Sequence, residues 1–187
     1  MIRKIDDHYL LSVGVRTAKI QDPEHLLERL RSEAKVAQIQ LVKALLIAGP
    51  EHIEFAAENA LRAFKGPRPM TKSLAVELLL YISCQRQISV AIQRMGIARG
   101  DSEIVLVALS NSEDSLESLA RAVSSTIPGE RDESLLEITS EKKMEALKTY
   151  YRIEDREVEA ARFPGESDTD VLKRLVIERS ALLSLES

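Results

Sequence analysis

The feature that most constrains this chain is the segment Leu74-Ala75-Val76-Glu77-Leu78-Leu79-Leu80-Tyr81-Ile82, apolar but for a lone glutamate and preceded by Pro67 and Pro69. Read as a helix from about Ser73 to Ser83, it carries apolar side chains nearly all round. A helix of that kind is stable only when other elements enclose it. The segment is too short to cross a bilayer, which takes roughly 20 apolar residues. Leu41 to Gly49, the other long apolar stretch, is no longer than this one. The chain must therefore wrap its remaining elements around this central helix, and 187 residues are enough for one domain with one sizeable core. We read residues 1–187 as a single domain.

The rest of the chain supplies both strands and helices. Tyr9 to Val15 and Glu103 to Leu109 predict strands, the second buried on both faces. Gln38 to Leu41 alternates and leads into Ala44 to Ala48, which predicts one strand ending at Gly49. A further short strand is expected at Leu135 to Ile138, after a polar loop from Pro128 to Ser134. Asp22-Pro23 opens a helix, as an N-cap followed by proline at the first helical position. Pro50 starts another, with Ile53, Ala56, Ala57, Ala60, Leu61 and Phe64 on one face, ending near Lys65. Gln87 to Met95, Ser112 to Ser125 with Ser112 or Asn111 capping, a helix through Tyr150 capped by Thr139 or Ser140, a short helical turn at Asp155 to Ala161, and Asp168 to Leu183 complete the helices. Strands scattered among helices without strict alternation predict an α/β (α+β) fold: a mixed or antiparallel sheet of about four to five strands with helices packed on it.

Little in the composition points to catalysis. His8, His25 and His52 lack short ligand spacings with each other or with Cys84, so no metal is expected, and tetrahedral zinc needs about four such donors. Cys84 follows the apolar helix and reads as a small packing residue rather than a nucleophile. The seven glycines are scattered singly, which leaves no phosphate-cradling loop and no expected cofactor. Asp6-Asp7, Glu113-Asp114 and Glu154-Asp155 read as caps and solvated turns. No catalytic residues are expected, and the chain is read as a non-enzyme. Met1-Ile2-Arg3-Lys4 leads to acids rather than to an apolar signal core, and with one cysteine this predicts a cytoplasmic protein that avoids membranes.

Charge is unevenly spread. The net charge is −4, but Asn59 to Gly100 holds seven basic residues against Glu77 alone, giving +6 there and −10 elsewhere. Such a segment is either a local anion-binding face or the solvated ends of a helical core hairpin. Within it, Lys65-Gly66-Pro67-Arg68-Pro69-Met70-Thr71-Lys72-Ser73 joins two helices and is stiffened by its prolines. Stiffness lowers the entropy cost of meeting a ligand. Ser73 is expected to expose free backbone N–H groups at a helix N-terminus, a good phosphate site. Arg86 joins this loop only if the chain doubles back. Aromatic residues are 4% of the chain, too few for a long base-stacking groove but compatible with a few nucleotides.

The stretch from Asn59-Ala60 through Thr71-Lys72-Ser73 and the apolar helix to Ser83-Cys84-Gln85-Arg86-Gln87-Ile88, continuing from Ala91 to Gly96-Ile97, resembles the signature of the TPRKB-like (PRPK-binding) family. Val176 to Leu183 resembles that family's C-terminal segment, so the similarity covers most of the chain. Cys84 departs from the pattern, where glycine is usual. Members are small non-catalytic subunits of the KEOPS complex, which places a threonylcarbamoyl group on the adenosine next to the anticodon of ANN-decoding tRNAs. The resemblance implies binding to the small kinase-like ATPase subunit and, as in archaeal members, anchoring of the tRNA 3′ CCA end. It also implies that Asn59, Lys72, Ser73, Arg86 and Gln87 line the RNA-facing region, to which charge adds Lys65 and Arg68. The alternative is a protein-interaction module, or regulator of a kinase, that presents an apolar patch to a kinase or a second copy without touching RNA. Self-association of the isolated chain fits that reading.

Overall fold

The computed structural model describes residues 2–17, 19–34 and 37–183. The chain starts with a hairpin, β1 (Ile2–Ile5) and β2 (His8–Thr17), turned by Asp6-Asp7 with Asp6 at φ 51°. Aspartate tolerates that left-handed conformation, and the turn closes β1 onto β2 as an antiparallel edge strand absent from the sequence reading. Helix α1 (Pro23–Glu33) follows, capped by the Asp22 side chain, which accepts from the His25 N–H. Then come β3 (Gln38–Lys43), α2 (Pro50–Lys65), α3 (Leu74–Ser83), α4 (Ile88–Met95) and β4 (Glu103–Ser110). Helix α5 (Glu113–Thr126), β5 (Gly129–Arg131), α6 (Glu141–Tyr151), α7 (Asp155–Ala161) and α8 (Asp168–Leu182) finish the described chain. Every pairing is antiparallel, in the order β1-β2-β4-β3, with β5 also on β2. The class is α+β, and of the two sheet types expected it is the antiparallel one.

Helices cover both faces of the sheet, which explains why β4 has no polar alternation. Ile104, Leu106 and Ala108 pack with Leu11, Val13 and Val15 beneath α1 and α5. Val105, Val107 and Leu109 face the larger core, where α3 lies buried along nearly all of its length. Leu78, Leu80, Tyr81 and Ile82 are all within 1% of complete burial, so α3 is the central helix that its composition demands.

Two strands are placed differently from the sequence reading. β3 stops at Lys43 and passes into a 3-10 turn, Ala44–Leu46, instead of running to Gly49. Lys43 pairs with Ile104 near the start of β4, so the strand beyond it has no ladder partner. Leu135 and Leu136 belong to a 3-10 turn, Glu133–Leu136, which Asp132 caps by accepting from the Ser134 N–H. The strand in this region is instead β5, within the expected loop, pairing with Val15–Thr17 where β1 has ended. Between β1 and β5 the chain crosses β2 at Gly14, where a Cβ would stand 2.2 Å from the Asp132 carbonyl oxygen.

Candidate functional site

The C-terminal end of α3 is buried, and the last carbonyls of a helix have no partners within it. Here three other helices supply them. Ile82 O accepts from the Tyr151 hydroxyl (3.0 Å) and the His52 ring at Nε2 (3.0 Å). Ser83 O accepts from Tyr150 (3.2 Å), and Tyr81 O from Ser180 (3.0 Å). Tyr151 also donates to Leu46 O, and the His52 Nδ1 accepts from the Ala48 N–H, so the same set binds the segment after β3. Burial pushes the His52 ring down to about 4 despite its bond to Ile82 O, and holds the Tyr151 hydroxyl well above its usual range. Both groups stay neutral at physiological pH.

Past this terminus the backbone turns through Cys84 at φ 50° and ψ 39°, left-handed geometry that glycine adopts without strain. A cleft of about 360 Å³ opens beside it. Its walls include Cys84, Tyr150, Arg94, Arg152, Arg179 and Leu182, and no carboxylate lines it. The Arg94 guanidinium lies 5.0 Å from the Tyr150 ring centroid, Arg179 pairs with Glu157, and Arg152 stands exposed at the end of α6. Arg86 Nη1 reaches the carbonyl of Leu183, another wall residue, at 3.4 Å. Among the described residues, Arg86, Arg94 and Arg152 have no ion pair. Guanidinium groups in fixed positions suit phosphate recognition, since their planar forks offer paired donors. Nothing in the cleft serves as a ready nucleophile: burial pushes the Cys84 thiol up to about 12.

The sequence-expected residues do not form one cluster. Lys65, Arg68, Lys72 and Ser73 lie where α2 ends and α3 begins, whereas Arg86 and Gln87 follow the far end of α3. Ten helical residues separate the two groups, about 15 Å of rise. The chain does not double back to join Arg86 to the loop. At the loop end, Lys65 pairs with Asp7 and Asn59 accepts from Arg62 (3.4 Å), while Arg68 and Lys72 are exposed. Lys65 and His8 hold the Asp7 carboxyl far below its usual range. At the N-terminus of α3 the Ser73 side chain makes no capping bond to the first-turn amides; in the loop before it, Met70 and Thr71 N–H donate to the buried Glu77 carboxylate, and Ser73 N–H to the Thr71 hydroxyl. Glu77 orders the loop from within, a role that its lone acidic character in an apolar helix hinted at. Arg152 was missed by sequence reasoning, because a basic residue ending a helix is ordinary. Among the described residues no group of three or more His, Cys, Asp or Glu is placed to hold a metal.

The fold is a small antiparallel α+β domain whose central helix is sealed at its C-terminal end beside an arginine-lined cleft. Residues 17–184 match the family model of the kinase binding protein CGI-121. The chain belongs to this family of kinase-binding proteins. None of the curated proteins matches it. No helix among the described residues is long and apolar enough to cross a membrane.

Proposed function

We propose that this chain is an accessory subunit of the KEOPS tRNA-modifying complex in the cytoplasm, binding the kinase-like ATPase subunit and recruiting tRNA through its 3′ CCA end. It does no chemistry itself. The observation that carries the RNA part is the carboxylate-free cleft with Arg94, Arg152 and Arg179 on its walls and Arg86 beside it. An exposed 3′ end offers phosphates to the guanidinium groups and bases to Tyr150 and the apolar Leu182. The loop cations Arg68 and Lys72, about 15 Å away along α3, contact the backbone further from that end.

The test is fluorescence anisotropy with tRNA over a salt series. Replacing Arg86, Arg94 and Arg152 together by Gln weakens binding and lowers the slope of log K against log salt by about 2, at roughly 0.7 per lost single-strand phosphate contact. Trimming CCA from the tRNA removes the difference between wild type and variant. Unchanged affinity and slope in the variant overturn the cleft as the RNA site. The exposed Ile88 and Ile92 on α4 favour a second reading, a protein-interaction module with no RNA affinity. Absence of tRNA binding by both the isolated chain and its complex with the kinase-like subunit selects that reading.

A further inference from the structure

A second concave surface lies on the other side of α2. It is a groove of about 470 Å³ whose apolar walls are Leu10 of β2, Pro50 at the start of α2, and Leu136. Its rim carries Glu54, Glu133 and Glu137, with Arg3 the one cation among its lining residues. No residue lines both this groove and the arginine cleft. The helical phase explains the separation: His52 faces inward to the α3 terminus, and Glu54, two residues on, faces β1 and pairs with Arg3 at 2.8 Å.

Next to Glu54 stands Phe55, 47% exposed, with Glu51 one turn before it and Glu58 one turn after. An exposed phenylalanine amid three glutamates on one helix face costs stability twice. It leaves an aromatic ring in water, and it repels like charges at the i, i+3 and i, i+4 spacings. Two cations reach this surface. Arg3 pairs with Glu54, and Lys173 with Glu137 at 2.5 Å and, at 4.0 Å, with Glu51. Glu58 and Glu133 have no ion pair among the described residues. Five carboxylates against two cations leave the surface at −3. Burial raises the Glu54 carboxyl, with Arg3 opposing the rise and Glu51 and Glu58 adding to it.

We infer that this groove and Phe55 seat the kinase partner, taking a segment of it that carries a lysine or arginine beside an apolar side chain. The inference rests on the kinase-binding reading and names the surface that performs it. A long basic side chain fits both parts of the groove: its methylene stem lies on Leu10, Pro50 and Leu136 while its charged head meets the unpaired Glu133. Phe55 offers an apolar or cation–π contact at the edge. A polyanion is repelled here, so one face takes protein while the arginine cleft takes RNA.

The experiment uses the full chain with the purified kinase-like subunit, measured by calorimetry at two salt concentrations. The variants are Phe55→Ala with Glu133→Lys, both at exposed positions, against Arg94→Gln in the cleft. The groove variant weakens kinase binding by about tenfold or more, as expected for a buried aromatic anchor plus a reversed charge. Arg94→Gln leaves it within about twofold, and raising the salt weakens the wild type more than the groove variant. Circular dichroism of the groove variant matches the wild type. If the wild type binds the kinase-like subunit and the groove variant binds equally well, the groove is not the seat and the kinase-binding reading stands. If the wild type does not bind it, both fail together. A concentration-dependent dimer of wild type that is lost in Phe55→Ala, with kinase affinity unchanged, assigns the surface to a second copy and overturns the inference.

Discussion

Acid should destabilise this protein well above the pH at which its carboxylates titrate, because of one buried ring. His52 is 1% exposed, its Nδ1 accepts from Ala48 N–H, and its Nε2 faces Ile82 O. Burial brings it from 6.5 to about 4, so the folded state refuses a proton that the unfolded chain takes up near 6.5. Its stabilising contribution is fully present above 6.5 and is lost as pH falls from there towards 4. The full difference is about 3 kcal/mol at 1.36 kcal/mol per pKa unit, of which about 2 kcal/mol disappears between pH 7 and pH 5. Lys143, whose ammonium burial pushes down to about 8, titrates above this window and does not confuse it. Urea denaturation followed by far-UV circular dichroism at pH 7 and pH 5 measures the loss directly. His52→Gln, which cannot titrate, starts less stable at pH 7 but loses much less between the two values. An equal loss in both proteins, or an NMR titration midpoint for His52 near 6.5, refutes the reasoning.

Perturbations at three further residues test other parts of the fold. Cys84→Gly relieves left-handed strain of about 1 kcal/mol and raises or preserves the melting temperature, whereas the β-branched Cys84→Val lowers it. The Cys84 thiol, pushed up to about 12, reacts slowly with iodoacetamide at pH 8 in the folded protein and at the ordinary rate in urea. Glu77→Ala strands the Met70 and Thr71 amides and costs about 2–4 kcal/mol in denaturant titrations, while hydrogen exchange at those two amides accelerates. Gly14→Ala places a Cβ against the Asp132 carbonyl oxygen and costs more than about 2 kcal/mol, read as a lower urea midpoint.

Much of the architecture was legible because it follows from periodicity and local chemistry. The cap at Asp22, the proline start of α2 and the all-round apolar α3 need only neighbouring residues to be read. What was not legible depends on distant partners. β3 ends at Lys43 because of where β4 begins, about sixty residues later in the chain, and no local signal in Ala44-Leu45-Leu46 reports that. β5 exists because β1 leaves part of β2 unpaired. The candidate site shows the same division. Lys65, Arg68, Lys72 and Arg86 were visible as charges, and so was the helix between them, but whether the chain doubles back past Ser83 to bring Arg86 to the loop was not. Arg152 and Arg179 meet Arg94 only because α6 and α8 pack around that terminus.

The sealed end of α3 also dictates an order of assembly. Its carbonyls wait for donors 30, 69 and 99 residues away along the chain, and the most distant, Ser180, arrives on the last described helix. Until α8 has been synthesised and docked, the central helix keeps an open end in an apolar surround, a state that proteases and chaperones recognise. Docking of α8 is therefore what completes the central helix, and shortening α8 harms residues that lie nowhere near it in the sequence.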